Sequence, residues 1–318
     1  MKRNISLFIV LAISLSCFAQ SVEKIRYGDF ENWITRHIPE SKLLGGKTKT
    51  VYEIGPTQTI EGAVAYSNKG GSPWATSNVY ARVMGINKAS NAVVPDTHDG
   101  KGRCCRMSTI LEPCKVLGMM NMEVLVSGSI FLGRMFEPIT STKSPYSKME
   151  MGIPFTKRPK SLQYDYRVVV PANAQKIHSS GFGKKKNLNG KDYAEVFLFL
   201  QRRWEDADGN LYANRVGTIR ERFGASTTGW VNGHVADIIY GDATKSPKYK
   251  SYMGLIPEDR SYYARNSKGK MVPVKEVGWD APDATPTHLI LMASSGSGVA
   301  YEGVVGMNLW VDNFYLKY

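Results

Sequence analysis

Cysteine and histidine are scarce, four and five residues in a chain of 318. Cys17 falls in the N-terminal apolar segment, which leaves Cys104, Cys105 and Cys114. Three thiols permit at most one bridge. Adjacent cysteines rarely pair with each other, so Cys114 with Cys104 or Cys105 is the one intramolecular option. No histidine stands at zinc-ligand spacing from these cysteines, the nearest being His98, and His37, His178, His234 and His288 show no ligand spacing either. Long apolar runs are also missing. After the first twenty residues nothing approaches eighteen apolar positions, so the sequence carries no transmembrane helix. Helical periodicity is rare and no repeat of fixed period occurs, which argues against a bundle or a solenoid. Nucleotide and nucleophile motifs fail on context. The segment GFGKKK from Gly181 lacks phosphate-loop spacing, and Gly296, Ser297 and Gly298 lack the strand-turn-helix setting of a nucleophile elbow. Cys104 has no identifiable histidine partner.

What is present is enough to fold. Apolar residues make 42% of the chain and aromatic residues 11%, enough to bury a sizeable core. Thirty glycines and fifteen prolines, about one residue in seven, imply many turns between short elements. No Pro/Gly/Ser linker divides the chain, so residues 20–318 are expected to form one domain. Lys2 and Arg3 before the apolar run Ile5 to Leu15 read as an export leader over residues 1–19, with cleavage after Ala19. The alternative is a lipoprotein leader ending at Cys17, with Ser16 acceptable before it but Ser14 where a lipobox has leucine. Either places the protein in the periplasm, at the outer membrane or outside the cell.

The formal charge is +13, and loss of Lys2 and Arg3 with the leader would leave +11. Its distribution argues against nucleic acid. The one dense cluster, Lys184, Lys185 and Lys186, is followed by Asn187, Leu188, Asn189 and Gly190 and reads as a solvated loop tip. For an exported protein the realistic acidic partners are polysaccharides or a membrane surface.

Period-two alternation dominates the rest. From Ser161 to Pro171, residues Leu162, Tyr164, Tyr166, Val168 and Val170 share one face and Gln163, Asp165 and Arg167 the other, as in a strand with one wet side. Ala194 to Trp204 is apolar on both faces through Val196, Phe197, Leu198, Phe199 and Leu200, the pattern of a central strand. The turn Glu205 to Asn210, containing Asp208-Gly209, predicts a hairpin that resumes at Leu211. Further strands are expected over Asn78–Met84, Arg106–Leu111, Met122–Leu132, His288–Met292 and Gly306–Tyr318. Many short strands with turn-rich connections predict an all-β, two-sheet sandwich of jelly-roll type.

Five segments, in order along the chain, carry a resemblance. They are Gly28–Trp33 (GDFENW), Pro73–Asn78 (PWATSN), Gly128–Gly133 (GSIFLG), Gly152–Tyr166 (GIPFTKRPKSLQYDY) and Leu309–Asn313 (LWVDN). Together they resemble the Putative carbohydrate metabolism domain family. The resemblance implies an exported envelope protein of a glycan-degrading diderm bacterium, with a jelly-roll fold like that of carbohydrate-binding modules. The three mature cysteines and the Lys184 loop lie outside the pattern. GDFENW and WVDN also look like the terminal strands of sugar-binding jelly rolls, which lie side by side. The likeness makes Glu31 and Asp312 candidate ligands of a structural calcium, an ion that takes several hard oxygen donors. The simpler role for both is to accept from backbone N–H groups at strand ends. Asp206, Asp208 and Asn210 lack the rest of an EF-hand loop.

Sugar binding needs flat aromatic faces beside planar polar groups. Trp33 and Trp310 sit in strand-like motifs and are assigned to the core. Trp74, flanked by Ser72, Pro73, Thr76, Ser77 and Asn78, reads as a loop tryptophan and is the first candidate platform for an oligosaccharide or polysaccharide, with Asn78, Arg158 and Asp165 as hydrogen-bonding partners. Trp230, Trp279, Tyr262 and Tyr263 are weaker candidates. A cross-strand ion pair is the simpler role for Arg158 and Asp165. A glycoside hydrolase would need two carboxylates facing one bond, and Glu195, Glu205, Asp206, Asp237, Asp280 and Asp283 form no recognisable pair in sequence. The expected function is glycan binding or handling without catalysis. The alternatives are a carbohydrate-active enzyme and an adhesive envelope protein that binds another protein through a large apolar patch.

Overall fold

The computed structural model describes residues 21–66, 71–83, 85–116, 120–141, 145–181 and 184–318. The leader assigned to residues 1–19 lies outside them. The protein is all-β. The helices among the described residues are single 3-10 turns of three or four residues.

Two sheets make the main sandwich. The first runs Met120–Ser127, Arg103–Val116, Asn308–Lys317, Ser161–Val169, Val231–Asp237, all antiparallel, with Val22–Lys24 beside the C-terminal strand and Val93–Thr97 beside Arg103–Met107. The terminal strands thus lie side by side: Val22 opposes Lys317, and Phe314 exchanges backbone hydrogen bonds with Ile25 and Gly28. The second sheet is centred on His288–Ser294, Ala194–Glu205 and Leu211–Phe223. It continues through Met271–Trp279, Tyr263–Arg265 and Met149–Met151 to Ser129–Met135, which also pairs back onto His288–Ser294, so its path closes on itself. A smaller layer flanks them. There Trp33–Pro39 runs between Thr48–Ile54 and Gln58–Glu61, and packs Ile38 and Val51 against Tyr80 and Ala89 of the Val79–Val83/Ile86–Ser90 hairpin.

The alternations hold except at Asp165, expected on the wet side but buried where the strand bulges between Gln163 and Asp165. Leu162, Tyr164 and Val168 point between the sheets, with Leu309, Val311, Phe314 and Leu316 from the C-terminal strand, and meet Val196, Leu198, Leu200, Leu289 and Leu291. Ala194–Glu205 is central and buries its opposite face too, where Phe197, Phe199 and Ile290 form a second core with Phe131, Met149 and Met151. The Glu205–Asn210 hairpin forms, with Gly209 at φ 89°.

Three expectations are corrected. The run Met122–Leu132 is two strands separated at Gly128, where a Cβ would stand 2.4 Å from the Ala92 carbonyl oxygen, an approach open to glycine alone. Trp310 lies outside the core, half-buried, donating from Nε1 to Asp96 beneath the Arg167 guanidinium, whereas Trp33 is buried as expected. Cys104 and Cys105 are free, buried thiols, so neither bridges to Cys114, whose side chain lies outside the described residues. In the Lys184–Lys186 cluster, Lys185 pairs with Glu123 and Lys186 starts a two-residue strand.

Candidate functional site

The structure disperses the residues singled out as ligand contacts. Trp74 is wholly buried. It begins a three-residue strand paired with Ile130–Leu132, its indole packs 5.5 Å from Phe30 and 5.6 Å from Phe314, and its Nε1 donates to the Arg26 carbonyl oxygen. It offers no face to a sugar. Asn78 is buried as a latch. Its Nδ2 donates to the carbonyl oxygens of Tyr52 and Val93, and its Oδ1 accepts from the N–H groups of Ala92 and Val93. Arg158 makes no ion pair with Asp165. Its guanidinium donates to the carbonyl oxygens of Pro282 and Ala284 and lies 4.2 Å over the Tyr240 ring.

Asp165 and Asp312 do come together. They oppose each other where the Ser161–Val169 and Asn308–Lys317 strands break register, and Asn313 beside them has a left-handed backbone at φ 56°. The bulge turns both carboxylates toward His98, and the three are the described residues whose ligand atoms lie within 4.8 Å of one another. His98 Nδ1 is 2.7 Å from Asp312 Oδ2, and its Nε2 is 2.9 Å from Asn232 Oδ1. Lys101 Nζ also donates to that Oδ1, at 3.2 Å, so both ring nitrogens face oxygen partners that hold the imidazole in place. Trp230 stacks on the imidazole at 3.7 Å. Burial pushes the Asp312 carboxyl up to about 6, against the His98 and Asn313 N–H groups that favour its charge. Asp165 accepts from Gly233 N and Asn313 Nδ2, and the other Asp312 oxygen from Asn313 N. All four carboxylate oxygens therefore already accept hydrogen bonds. Glu31 stands apart from this group, exposed and accepting from Arg103 N at 3.1 Å, the backbone-capping role. One imidazole and two satisfied carboxylates differ from the all-oxygen cage calcium favours, and act as a brace between three segments.

A large cleft lies elsewhere. On the face of the second sheet that carries Phe197, opposite the one packed on the first sheet, Ser294, Glu195 and Arg222 form one cross-strand row and Met292, Phe197 and Arg220 the next. Arg220 donates through Nε and Nη2 to the two Glu195 oxygens, both at 3.0 Å, and Arg222 Nε adds a third bond at 3.1 Å. Over this floor, Tyr262 lies nearly parallel to Phe197 at 6.0 Å and Arg222 stacks on Tyr252 at 4.8 Å. With the Leu255–Pro257 segment, the Gly296–Tyr301 loop and the Met122–Ser127 strand, they enclose a cleft of about 930 Å³. The phenols of Tyr146 and Tyr262 are pushed up by burial, so both stay neutral hydrogen-bonding groups. Of the sequence candidates for a sugar contact only Tyr262, ranked among the weaker ones, lines this cleft. In the sequence Glu195 reads only as an unpaired carboxylate, and no motif there singles out Arg220, Arg222 or Tyr252. The available signal was the i, i+2 spacing of Arg220 and Arg222 across the predicted hairpin from Glu195.

The chain is thus of the all-β, two-sheet class, with a half-enclosed aromatic and charged cleft. Residues 30–221 match the family described as Putative carbohydrate metabolism domain, and the chain belongs to that family. No curated protein matches it. Among solved structures it is similar to a protein titled a putative glycoside hydrolase from Bacteroides thetaiotaomicron VPI-5482, at 15% identity and TM-score 0.45, over 86% of this chain and 76% of that one. It is also similar to one of the same title from Bacteroides vulgatus ATCC 8482, at 13% identity and TM-score 0.46, over 93% and 97%.

Proposed function

We propose that the cleft binds a saccharide and that the protein is an exported, non-catalytic glycan-binding component of the cell envelope. The supporting observation is the pairing, in one half-enclosed cleft, of flat tyrosine faces with a planar Glu195–Arg220–Arg222 array. Pyranose rings present an apolar face and an equatorial rim of hydroxyls, and that combination of surfaces matches both. The cleft volume is of the size that holds a small ligand. Family membership supports a carbohydrate partner.

The carboxylates favour binding over hydrolysis. Glycosidases need one carboxyl able to donate a proton to the leaving oxygen. Among the described residues, the two carboxylates lining this cleft are Glu195, held by two guanidinium groups, and Glu112, held by Lys49 at 2.5 Å and Lys88 at 2.8 Å. Both carboxylates are thus taken up as acceptors of cationic donors instead of standing free across a scissile bond. The leader read over residues 1–19 supports an extracytoplasmic location, with oligosaccharide, polysaccharide and envelope proteins as the partners to hand.

The test is a calorimetric screen of residues 20–318 against oligosaccharides, with a parallel assay for released reducing ends. Tyr252→Ala is expected to weaken binding about tenfold or more, as loss of one stacking face does, without moving the melting temperature. Reducing-end release that Glu195→Gln abolishes would instead establish a glycoside hydrolase. Absence of binding across the screen would overturn the saccharide reading.

A further inference from the structure

Resting on the saccharide reading of the cleft, we propose that its ligand is an acidic glycan, whose carboxylate or sulfate ester groups dock on Arg222 and Arg260. The charges of the cleft do not cancel. At one end they do: Lys88 bonds Glu40 at 2.9 Å and Glu112 at 2.8 Å, and Lys49 bonds Glu112, two cations against two anions. On the floor a single negative charge, Glu195, faces two guanidinium groups. Arg220 is fully committed, with Nε and Nη2 on Glu195 and Nη1 on the Tyr252 carbonyl oxygen at 3.0 Å. Arg222 is not. Only its Nε reaches Glu195, and among the described residues its Nη1 and Nη2 have no protein acceptor, while the side chain is 22% exposed and lines the cleft.

Arg260 adds a further cation to the cleft. It lines the same cleft from the Glu258–Arg260 turn, is exposed, and forms no ion pair among the described residues. Of that turn's carboxylates, Glu258 is taken by Lys275 and Asp259 does not line the cleft. The cleft therefore holds an excess of two positive charges, within a chain of formal charge +13. The geometry of Arg222 is specific. The Tyr252 ring, 4.8 Å from its Cζ, and the Nε bond to Glu195 anchor the guanidinium and leave the Nη1/Nη2 edge without a protein acceptor among the described residues. That edge matches a carboxylate or a sulfate with two parallel hydrogen bonds. A neutral sugar would cover these N–H groups without an anionic acceptor, a loss for a desolvated cation.

The experiment compares matched pairs by calorimetry at physiological salt: an oligogalacturonide against its methyl ester, and a sulfated galactan oligosaccharide against its desulfated form. At least one acidic member is expected to bind about tenfold more tightly than its neutral counterpart, and which pair shows it separates carboxylate from sulfate. Arg222→Gln and Arg260→Ala should each erase about fivefold or more of that preference, and Arg222→Lys should restore only part of it. Arg260→Ala removes an exposed, unpaired side chain and keeps the test open if Arg222→Gln disturbs folding. Equal or tighter binding of the neutral members through the cleft, with Tyr252→Ala weakening it, would overturn the acidic ligand and leave saccharide binding standing. Acidic binding that both arginine variants leave unchanged would mark non-specific attraction to the basic surface and would overturn the proposal. Failure of all four to bind would overturn it together with the reading beneath it.

Discussion

Arg36 is a single cation shared by two buried carboxylates. It donates to Glu53 at 2.8 Å and to Glu137 at 2.6 Å, and all three side chains are at most 3% exposed. Glu137 also accepts from the N–H groups of Tyr66 and Tyr80, whereas burial pushes Glu53 up to about 8 even against the pull of Arg36. Glu53 is thus the partner that holds a proton at neutral pH. Its contribution to stability is complete below about 4.5, where both states are protonated, and is lost as pH rises toward about 8, because the unfolded chain ionises first. Urea midpoints are expected to fall across that window, by at most about 1.4 kcal/mol per pH unit, and Glu53→Gln should remove the slope. Arg36→Met would strand the buried Glu137 carboxylate and take a donor from Glu53, and should cost about 3–5 kcal/mol at neutral pH. Trp74→Ala, which empties the junction of Phe30 and Phe314, should cost a similar amount, about 3–5 kcal/mol. It should leave ligand affinity per folded molecule unchanged.

Among elements, legibility followed local pattern and failed where register or partners decide. The Ser161–Val169 and Ala194–Glu205 strands could be read because burial is written residue by residue: Leu162, Tyr164 and Val168 declare one face, and Phe197 beside Leu198 declares two. Trp74 misled because Ser72, Pro73 and Asn78 are turn residues by composition, yet the segment is a short strand held by Ile130–Leu132, a contact between residues far apart in sequence. The cleft was hidden by one bulge. Counted back from the hairpin turn, Glu205 opposes Leu211, which would set Glu195 opposite Glu221; the register shift between Leu200 and Gln201 sets it opposite Arg222 instead. The same kind of irregularity brings Asp165 to Asp312. Asn313 supports that bulge twice, through its left-handed φ of 56° and its Nδ2 bond to Asp165 at 2.9 Å. Asn313→Ala is expected to cost about 1–3 kcal/mol, and Asn313→Gly less, since glycine keeps the backbone conformation and loses only the side-chain bond. Denaturant midpoints of the two variants separate the contributions.

At the scale of the whole molecule, the brace around His98 ties together segments that are remote in sequence. His98 belongs to the loop after Val93–Thr97, Asn232 to the Val231–Asp237 strand, and Asp312 to the C-terminal strand that also carries the N-terminal Val22–Lys24. A bound ion and an imidazole hydrogen-bonded on both sides are alternative ways to stabilise such buried carboxylates, and they differ in what calcium does. A calcium site would make stability depend on the free ion, by about 2.7 kcal/mol at a hundredfold excess over the dissociation constant. With the oxygens of Asp165 and Asp312 already accepting from N–H donors, the expected outcome is a melting temperature that neither millimolar calcium nor chelator moves. His98→Ala should lower it in both conditions alike, because the Asp312 carboxylate loses its donor and remains buried. A rise in melting temperature with calcium, abolished by Asp312→Asn, would show instead that the ion enters and that the His98 contact gives way to it.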